Sequence, residues 1–579
     1  MSVEPNTIIK VYHGIPLDVT QTRSIAFANI SAQNDYFHSV PNSKLKYSFL
    51  RSTYQRVRRG RLRIEQSADN LYDCNYMAFQ NTNYGQKWFY AFITSVEYIN
   101  DITSEITFVI DELQTWLFDM TLQPCIVERT HPTTDVIGEH IEPEPVMLGE
   151  YVMNYKKVSG EVVESYEPLA ALSELAVIVA IIDAEGEIVG GKLYDGIFGG
   201  ANLYAFERSD VASIKTLIET YIITPECVVS IYMLPKTVLQ SIFTQGMIPV
   251  GGVELPNNII ANPIRVIKTA LNGNEALDGY VPKNKKLYTY PYNYYHVDNS
   301  SGTSLKLRYE LFEDLRPTME ICATITQPVE LMLRPYAYKN CTPSAVLKVF
   351  QDTLNTETLT LNTFPICSWT TDGFQAWLVN TGIPYGLNVV GNIVDTGMAM
   401  AISNYSNGGA SGMGMGIPQI NTPTQPMNQQ PPTTGDKDPY ATTPIKGGDN
   451  FGLSATGLLN AYYSASIQGD ITKGNFSNAG ANCATGRHQF YGGRCSITAE
   501  FAKIIDDFFT IYGYTIKRIM TPNLRARPHW TYVKTMNCNI VGNLPSNSIE
   551  AIKAIFNTGI TWWRNPSEVG NYALPNQPV

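Results

Sequence analysis

The chain has 579 residues, too many for one hydrophobic core, so several domains are expected. It has 52 acidic and 42 basic side chains, a net charge of −10, which argues against ordinary nucleic-acid binding through a basic face. Its nine cysteines are scattered and form no CxxC pair, which supports neither a zinc site nor a disulfide framework and leaves free thiols as the expected state.

The opening stretch, MSVEPNTIIKVYHGIPLDV, has no basic segment followed by an apolar one, so no secretory signal is read there. TIIKVY, FITSVEYI and EITFVI read as strands, since β-branched and aromatic side chains suit a pleated, half-buried surface. TSVEYINDITSEITFVI alternates about an NDITS turn and predicts a hairpin, and DELQTWLFDM a short helical turn. The 35 tyrosines fit β-rich surfaces and large subunit contacts.

RSTYQRVRRGRLRIE holds Arg51, Arg56, Arg58, Arg59, Arg61 and Arg63, interleaved with Tyr54, Val57, Leu62 and Ile64. A nucleic-acid patch is one reading. The better one is a strand that turns Arg56, Arg58, Arg59, Arg61 and Arg63 outward to meet acidic groups of an adjoining subunit. KRIMTPNLRARPHW carries the same ambiguity. HPTTDVIGEHIEPEP offers His131, His140 and several carboxylates to a divalent metal, but a Pro-rich acidic connector is ordinarily a solvated loop.

Further along, AALSELAVIVAIIDAEGEIVGG reads as a helix or a buried strand, DVASIKTLIETYII as a helix and CVVSIYMLP as a short buried strand. A strand pair with one covering helix is expected here. TMEICATIT, PVELMLRPYAY and ETLTLNTFPIC return to strand character. AEFAKIIDDFFTIYG is the clearest helix, with Phe501, Ile504, Ile505, Phe508 and Phe509 at helical spacing and Gly513 placed to stop it. NSIEAIKAIFNTGITWW predicts another, with Asn547 or Ser548 as N-cap and Gly559 at its end.

Before those two helices lies a nearly uncharged tract. From Gly373 to Gly435 the only charged side chain is Asp395. Its first half is rich in Gly, Met and aliphatics; its second, NTPTQPMNQQPPTTG, is Pro/Gln/Thr low complexity. Flexible, apolar and uncharged together read as a segment that leaves water for a partner or a membrane, against the alternative of a linker. A conventional spanning helix is the poorer fit. The run Leu387–Ile402 falls short of the roughly 20 residues such a helix wants, and Asn388, Gly391, Asn392, Asp395 and Gly397 interrupt it. The candidate membrane-insertion or plug residues are Leu387, Val389, Val390, Ile393, Val394, Asp395, Met398, Met400, Ile402, Met413, Met415, Ile417 and Ile420.

No catalytic or cofactor motif emerges. The seven histidines include no HExxH, and there is no GxSxG elbow, P-loop or strand-linked GxGxxG. GMGMG at Gly412–Gly416 has neither a lysine nor a following helix. No catalytic residue, cofactor or metal is assigned.

Four segments then carry a resemblance: Tyr76–Asn100 (YMAFQNTNYGQKWFYAFITSVEYIN), Phe108–Met120, Phe508–Leu544 and Ile555–Tyr572. Their motifs, QNxxYGxKWFYAF, LQTW and YGYxIxRxxxPNLRxR, resemble those of the tail-knob, or distal tail-tube, proteins of small short-tailed bacteriophages with protein-primed DNA replication. The resemblance is close over roughly a quarter of the chain and weak over the centre. It implies a non-enzymatic virion protein at the tail tip, assembled in the host cytoplasm. It further implies a homohexamer joined to other phage tail proteins and a lumen that conducts phage DNA without sequence-specific binding. Hydrophobic loops would plug the tube and enter the host cell membrane on infection. The uncharged tract occupies the position of that loop, with extra Pro/Gln-rich sequence.

The expected fold class is β-rich α+β and multidomain, with tail-tube-like β-barrel or sandwich domains and one long hydrophobic insertion. The expected plan is a tail-tube β domain (1–150), an inserted mixed α/β domain (151–320) and a second tube-type β segment (321–386). The loop (387–480) and a C-terminal segment completing the tube (481–579) follow. The alternatives are a receptor-binding tail adhesin and, with less support, a tail-associated cell-wall hydrolase.

Overall fold

A computed structural model describes residues 7–39, 44–52, 60–81, 85–153, 156–158, 161–164, 166–182, 193–194, 197–198, 200–220, 228–239, 242–243, 247–256, 259, 262–339, 357–362, 364, 366–368, 473–474 and 486–578. The β-branched run Thr7–His13 forms a strand between Leu45–Ser52 and Cys74–Asn81, and the sheet continues through Trp88–Asn100 and Thr103–Ile110 to the edge strand Arg61–Ile64. All its pairings are antiparallel. The hairpin read from NDITS is present: Asn100 pairs with Thr103 across Asp101 and Ile102, and the Tyr98 hydroxyl donates to Asp101 at 2.7 Å.

Successive side chains of a strand point to opposite faces, and both faces of this sheet are covered. Ile9, Val11, Met77, Ala91 and Ile106 join one core cluster, while Tyr12, Tyr76, Ala78, Tyr90 and Phe92 join another with Phe37. Phe37 comes from the helix Ile30–His38, whose N-cap Asn29 accepts from the Ala32 amide. The short helix Glu112–Trp116 follows the sheet, capped by Asp111, whose other carboxylate oxygen takes the Tyr76 hydroxyl at 2.9 Å.

The run that read as helix or strand, Leu175–Ile181, is a strand buried at every position. Val177, Ile178, Val179 and Ile181 suit a strand flanked on both sides, and its neighbours are Asn202–Glu207 and Val228–Pro235. The helix Val211–Thr220 lies between those two strands in sequence. The sheet ends in Ile366–Ser368 and Lys473–Gly474.

A third sheet, also antiparallel, sets Tyr151–Met153 and Asn293–Asp298 on either side of Tyr491–Ile497, so strands from three distant parts of the chain meet there. A fourth contains Ile264–Ile267, Thr318–Ala323, Leu331–Pro335 and Leu359–Leu361. A fifth, Ser24–Ile25, Ile560–Trp563, Trp530–Met536, Cys125–Thr130 and Tyr514–Met520, with Ser24–Ile25 paired in parallel, interlocks the N-terminal region with the C-terminus. Fully buried Trp530, Trp562 and Trp563 fill its core.

The helix Ala499–Tyr512 forms as expected, but its buried stripe is rotated from the one read off the apolar spacing. Ala502, Ile505, Asp506 and Phe509 are buried, whereas Ile504 is 59% exposed. An acid displaces an isoleucine because Asp506 is fully satisfied: it accepts from the Tyr280 hydroxyl at 2.7 Å, the Lys283 amide at 2.8 Å and Asn284 Nδ2 at 2.8 Å. Gly513 ends the helix at φ 66, where a side chain would run into the Thr130 carbonyl. The helix Ser546–Thr558 starts two or three residues earlier than an Asn547 or Ser548 cap would set it. Pro545 is its N-cap, and its carbonyl accepts from the Ser548 and Ile549 amides, while Ser548 is buried inside the helix.

Candidate functional site

The uncharged tract is best located by its ends. Ile366–Ser368 pairs on one side with Val228–Pro235 and on the other with Lys473–Gly474, Cys367 opposite Gly474 and Ser368 opposite Lys473. The stretch 369–472 is therefore bounded on both sides by strands paired with each other at one end of one sheet. Leu387, Val389, Val390, Ile393, Val394, Asp395, Met398, Met400, Ile402, Met413, Met415, Ile417 and Ile420 all lie in this stretch, outside the described residues.

Of the candidate subunit-contact arginines, Arg56, Arg58 and Arg59 lie outside the described residues. Arg61 and Arg63 stand on the edge strand Arg61–Ile64, roughly a third and two-fifths exposed. Within the single chain they share Glu105, at 3.0 and 3.2 Å, and Arg61 also reaches Glu97 at 3.4 Å. The register explains the arrangement: Glu105 sits opposite Arg63 on one side and Glu97 on the other, so Arg61 relieves a like-charge pair. Its hydrogen bond with Arg61, followed by that with Arg63, holds the Glu105 carboxyl below the usual carboxylate range.

The segment expected to be a solvated connector does keep exposed positions such as Val136, Glu139 and Ile141, but it is a strap fastened to the fold at His131 and Glu144. His131 is buried; its Nε2–H donates to the Thr510 carbonyl at 3.0 Å and its Nδ1 accepts from the Tyr532 amide at 2.9 Å. That pattern fits only a neutral ring, and burial, then the neighbouring Arg527, push its pKa down to about 3. Glu144 reaches a fully enclosed position between Arg129 and Lys286, and accepts the Thr515 amide at 2.8 Å and the Thr515 hydroxyl at 2.7 Å. Burial alone would push that carboxyl up; Lys286 and Arg129 outweigh it and hold Glu144 below the usual range. Arg129 also donates to the Gly513 carbonyl at 2.7 Å. Among the described residues no group of three or more His, Cys, Asp and Glu could hold a metal ion. The strap turned inward because two cations and a strand amide, all distant in sequence, meet its carboxylate.

A polar cleft of about 100 Å³ lies between Leu271, Tyr295 and Tyr309, with Lys268 and Arg494 at its edge. Both cations are already paired, Lys268 with Glu167 at 2.7 Å and Arg494 with Glu275, so the cleft offers no free positive charge.

Residues 259–577, more than half of the chain, match the family of the C-terminal domain of the tail knob protein gp9 of Bacillus phage phi29. The chain belongs to the gp9 tail knob family. Residues 5–121, which contain the first six-stranded sheet, match the N-terminus of caudoviral major tail proteins. The chain is 23% identical to the tail knob protein gp9 of Bacillus phage B103, covering 99% of this chain and 98% of that protein. It is 24% identical to the gp9 of Bacillus phage phi29, covering 97% of this chain and 99% of that protein. The fold is that of the tail knob protein gp12 of bacteriophage C1, with a TM-score of 0.56 and 14% identity over 98% of this chain and 99% of that one. The protein is thus a β-rich structural component of the phage tail, carried on the virion. Among the described residues no helix is long and apolar enough to cross a membrane.

Reading the sequence alone missed Glu144, Lys286, Asp506 and Asn284. The available signal was the Asp506–Asp507 pair set between Ile504–Ile505 and Phe508–Phe509 in the helix, which marks a carboxylate in need of an internal partner.

Proposed function

We propose that this chain is a non-enzymatic subunit of a homohexameric distal tail tube that conducts the phage genome, and that the loop expected over residues 387–480, drawn back to end before the strand Lys473–Gly474, plugs the tube and enters the host membrane. The observation that carries this reading is the pairing of Ser368 with Lys473. An excursion closed at its stem can move without unravelling the sheet beneath it, since the cost of closing a loop grows only slowly with length.

Residues 1–150 supply the tail-tube domain, 151–320 and 321–386 the inserted and second β segments, and 481–579 the closing segment. Closed rings need heterologous contacts between two different surfaces of one subunit. Arg61 and Arg63, with Arg56, Arg58 and Arg59 before them, supply one; acidic segments on the opposite flank of the next subunit supply the other. Exposed ion pairs are worth only ~0–1 kcal/mol, so Arg61 can exchange its 3.4 Å contact with Glu97 for an intersubunit acid at little cost. A chain at −10 in six copies gives DNA an acidic passage to which phosphates do not adhere.

The loop's apolar side chains, ~11 at roughly 1.5 kcal/mol each, favour lipid by on the order of 15 kcal/mol per subunit. Much of that is offset by ordering the loop and by unpaired peptide groups in hydrocarbon. Insertion is therefore cooperative, with six loops satisfying one another's backbones. The test is dye release from liposomes by purified full-length protein. Release that depends on residues 369–472 supports the reading; sealed vesicles at every pH between about 4 and 8 defeat its membrane part.

A further inference from the structure

The match to caudoviral major tail proteins ends at residue 121, and the chain then crosses at once into the C-terminal sheet. Two pairings bracket this crossing. Asn539 sits opposite Gln123 where Asn539–Gly542 pairs with Met120–Gln123, and Met536 sits opposite Ile126 where Trp530–Met536 pairs with Cys125–Thr130. Between these rungs lie Pro124 and Cys125 on one side and Asn537 and Cys538 on the other. One residue of each pair is a cysteine.

Adjacent residues of a regular strand would face opposite ways, but neither side is regular at this point. Asn537 adopts φ 55 and turns the chain, and Pro124 interrupts the other side. Both thiols consequently turn into the interior: Cys125 and Cys538 are 7% and 4% exposed. The Cys125 thiol is among the neighbours that raise the Cys538 thiol, and neither cysteine is in a disulfide.

We propose that Cys125 and Cys538 are a latent disulfide that closes when the tail leaves the reducing cytosol, stapling the N-terminal tail sheet to the C-terminal sheet. Continuing the register between the two rungs sets Cys125 and Cys538 one position apart on the diagonal, and a disulfide needs Cα atoms about 4.4–6.8 Å apart. With a peroxide as oxidant the chemistry balances. One thiolate attacks the O–O bond, expels hydroxide and becomes a sulfenic acid. The second thiolate attacks that sulfur, the S–O bond breaks, and an S–S bond forms; two thiols and one peroxide give one disulfide and two waters. The thiolate is the reacting species. Burial, then the Cys125 thiol, push the Cys538 thiol up to about 11, so closure is slow at neutral pH and speeds up as pH rises.

The staple closes a loop from Cys125 to Cys538 that includes residues 369–472. Its consequence is mechanical: a tail tip whose loop is cut or drawn into a membrane would keep its two halves joined.

The test uses the full chain, purified under reductant, transferred to dilute hydrogen peroxide at pH 7 and pH 9, denatured, alkylated and digested. The expected result is one cross-linked peptide joining Cys125 to Cys538, formed faster at pH 9 and lost on adding dithiothreitol, with the thermal midpoint raised by on the order of 5 °C. After cleavage within residues 369–472, the N- and C-terminal fragments should migrate together on a denaturing non-reducing gel only when oxidised. Recovery of Cys125 and Cys538 as separately alkylated thiols or as sulfinic acids overturns the proposal. So does cross-linking of either to a different cysteine. The measurement is made on the native sequence, so no variant has to fold for it to be decisive.

Discussion

Replacing Glu144 by alanine tests the joint on which the strap, the Tyr514–Met520 strand and the Lys285–Tyr288 turn converge. The Glu144 side chain has no solvent exposure, Lys286 has 2% and Arg129 has 10%. Four donors converge on its carboxylate: Arg129, Lys286, and the Thr515 amide and hydroxyl. Removing one member of a buried ion pair costs about 3–5 kcal/mol, because the remaining charges stay buried without a partner. In a multidomain chain the loss falls on local opening and is not shared over a single global transition. Hydrogen exchange of amides in residues 131–150 and in Tyr514–Met520 should therefore accelerate by roughly two to four orders of magnitude, at 1.36 kcal/mol per factor of ten. Glu144→Leu combined with Lys286→Met should recover only part of the loss, since it removes the stranded lysine but leaves Arg129 and the Thr515 amide without their acceptor. Acceleration below tenfold in Glu144→Ala would refute the claim that this pair fastens the strap.

Acid should weaken the same joint. His131 has a folded pKa of about 3 against an ordinary 6.5, so the folded state binds fewer protons than the unfolded one between those values. The stability this supplies is complete above about pH 6.5 and is lost as pH falls through the interval towards 3, about 2 kcal/mol of it between pH 7 and pH 5. The lowered Glu144 carboxyl acts in the same direction. His131→Gln keeps one acceptor and one donor, so hydrogen exchange in the strap should show a flatter pH dependence between 7 and 5 than in the native chain; parallel profiles would remove His131 from the joint. Excision of residues 371–470 with a short turn in their place should leave the fold intact by circular dichroism and abolish dye release from liposomes. Within the intact loop Asp395 costs roughly 2.5–3.5 kcal/mol at a bilayer centre, so Asp395→Asn should release dye with little dependence on pH. Arg61→Glu with Arg63→Glu should leave a folded chain that no longer assembles, as read by light scattering; unimpaired assembly would place the ring contact elsewhere.

Much of the fold was legible because its elements are local. Alternation about Asp101 and Ile102 gave the hairpin, β-branching in Val177–Val179 fits the buried strand, and Gly513 gave the end of its helix. The pairing of Ser24–Ile25 and Cys125–Thr130 with C-terminal strands was not legible, since it joins residues hundreds of positions apart. Ile504 and Asp506 show the same limit within one helix: apolar spacing put isoleucine inside, and Asn284, Lys283 and Tyr280 put aspartate there. Glu144 looked solvated because its partners Arg129, Lys286 and Thr515 are assembled only by the fold. The apolar tract was legible by composition, and its common stem at Ser368 and Lys473 became visible only through sheet pairing.

The most direct test of the hexameric tube is native mass spectrometry of the purified full chain across a range of concentrations, with electron microscopy of the same sample. A species of six times 64.4 kDa that images as a ring with an open or plugged centre is the expected result. A chain that remains monomeric at every concentration contradicts it.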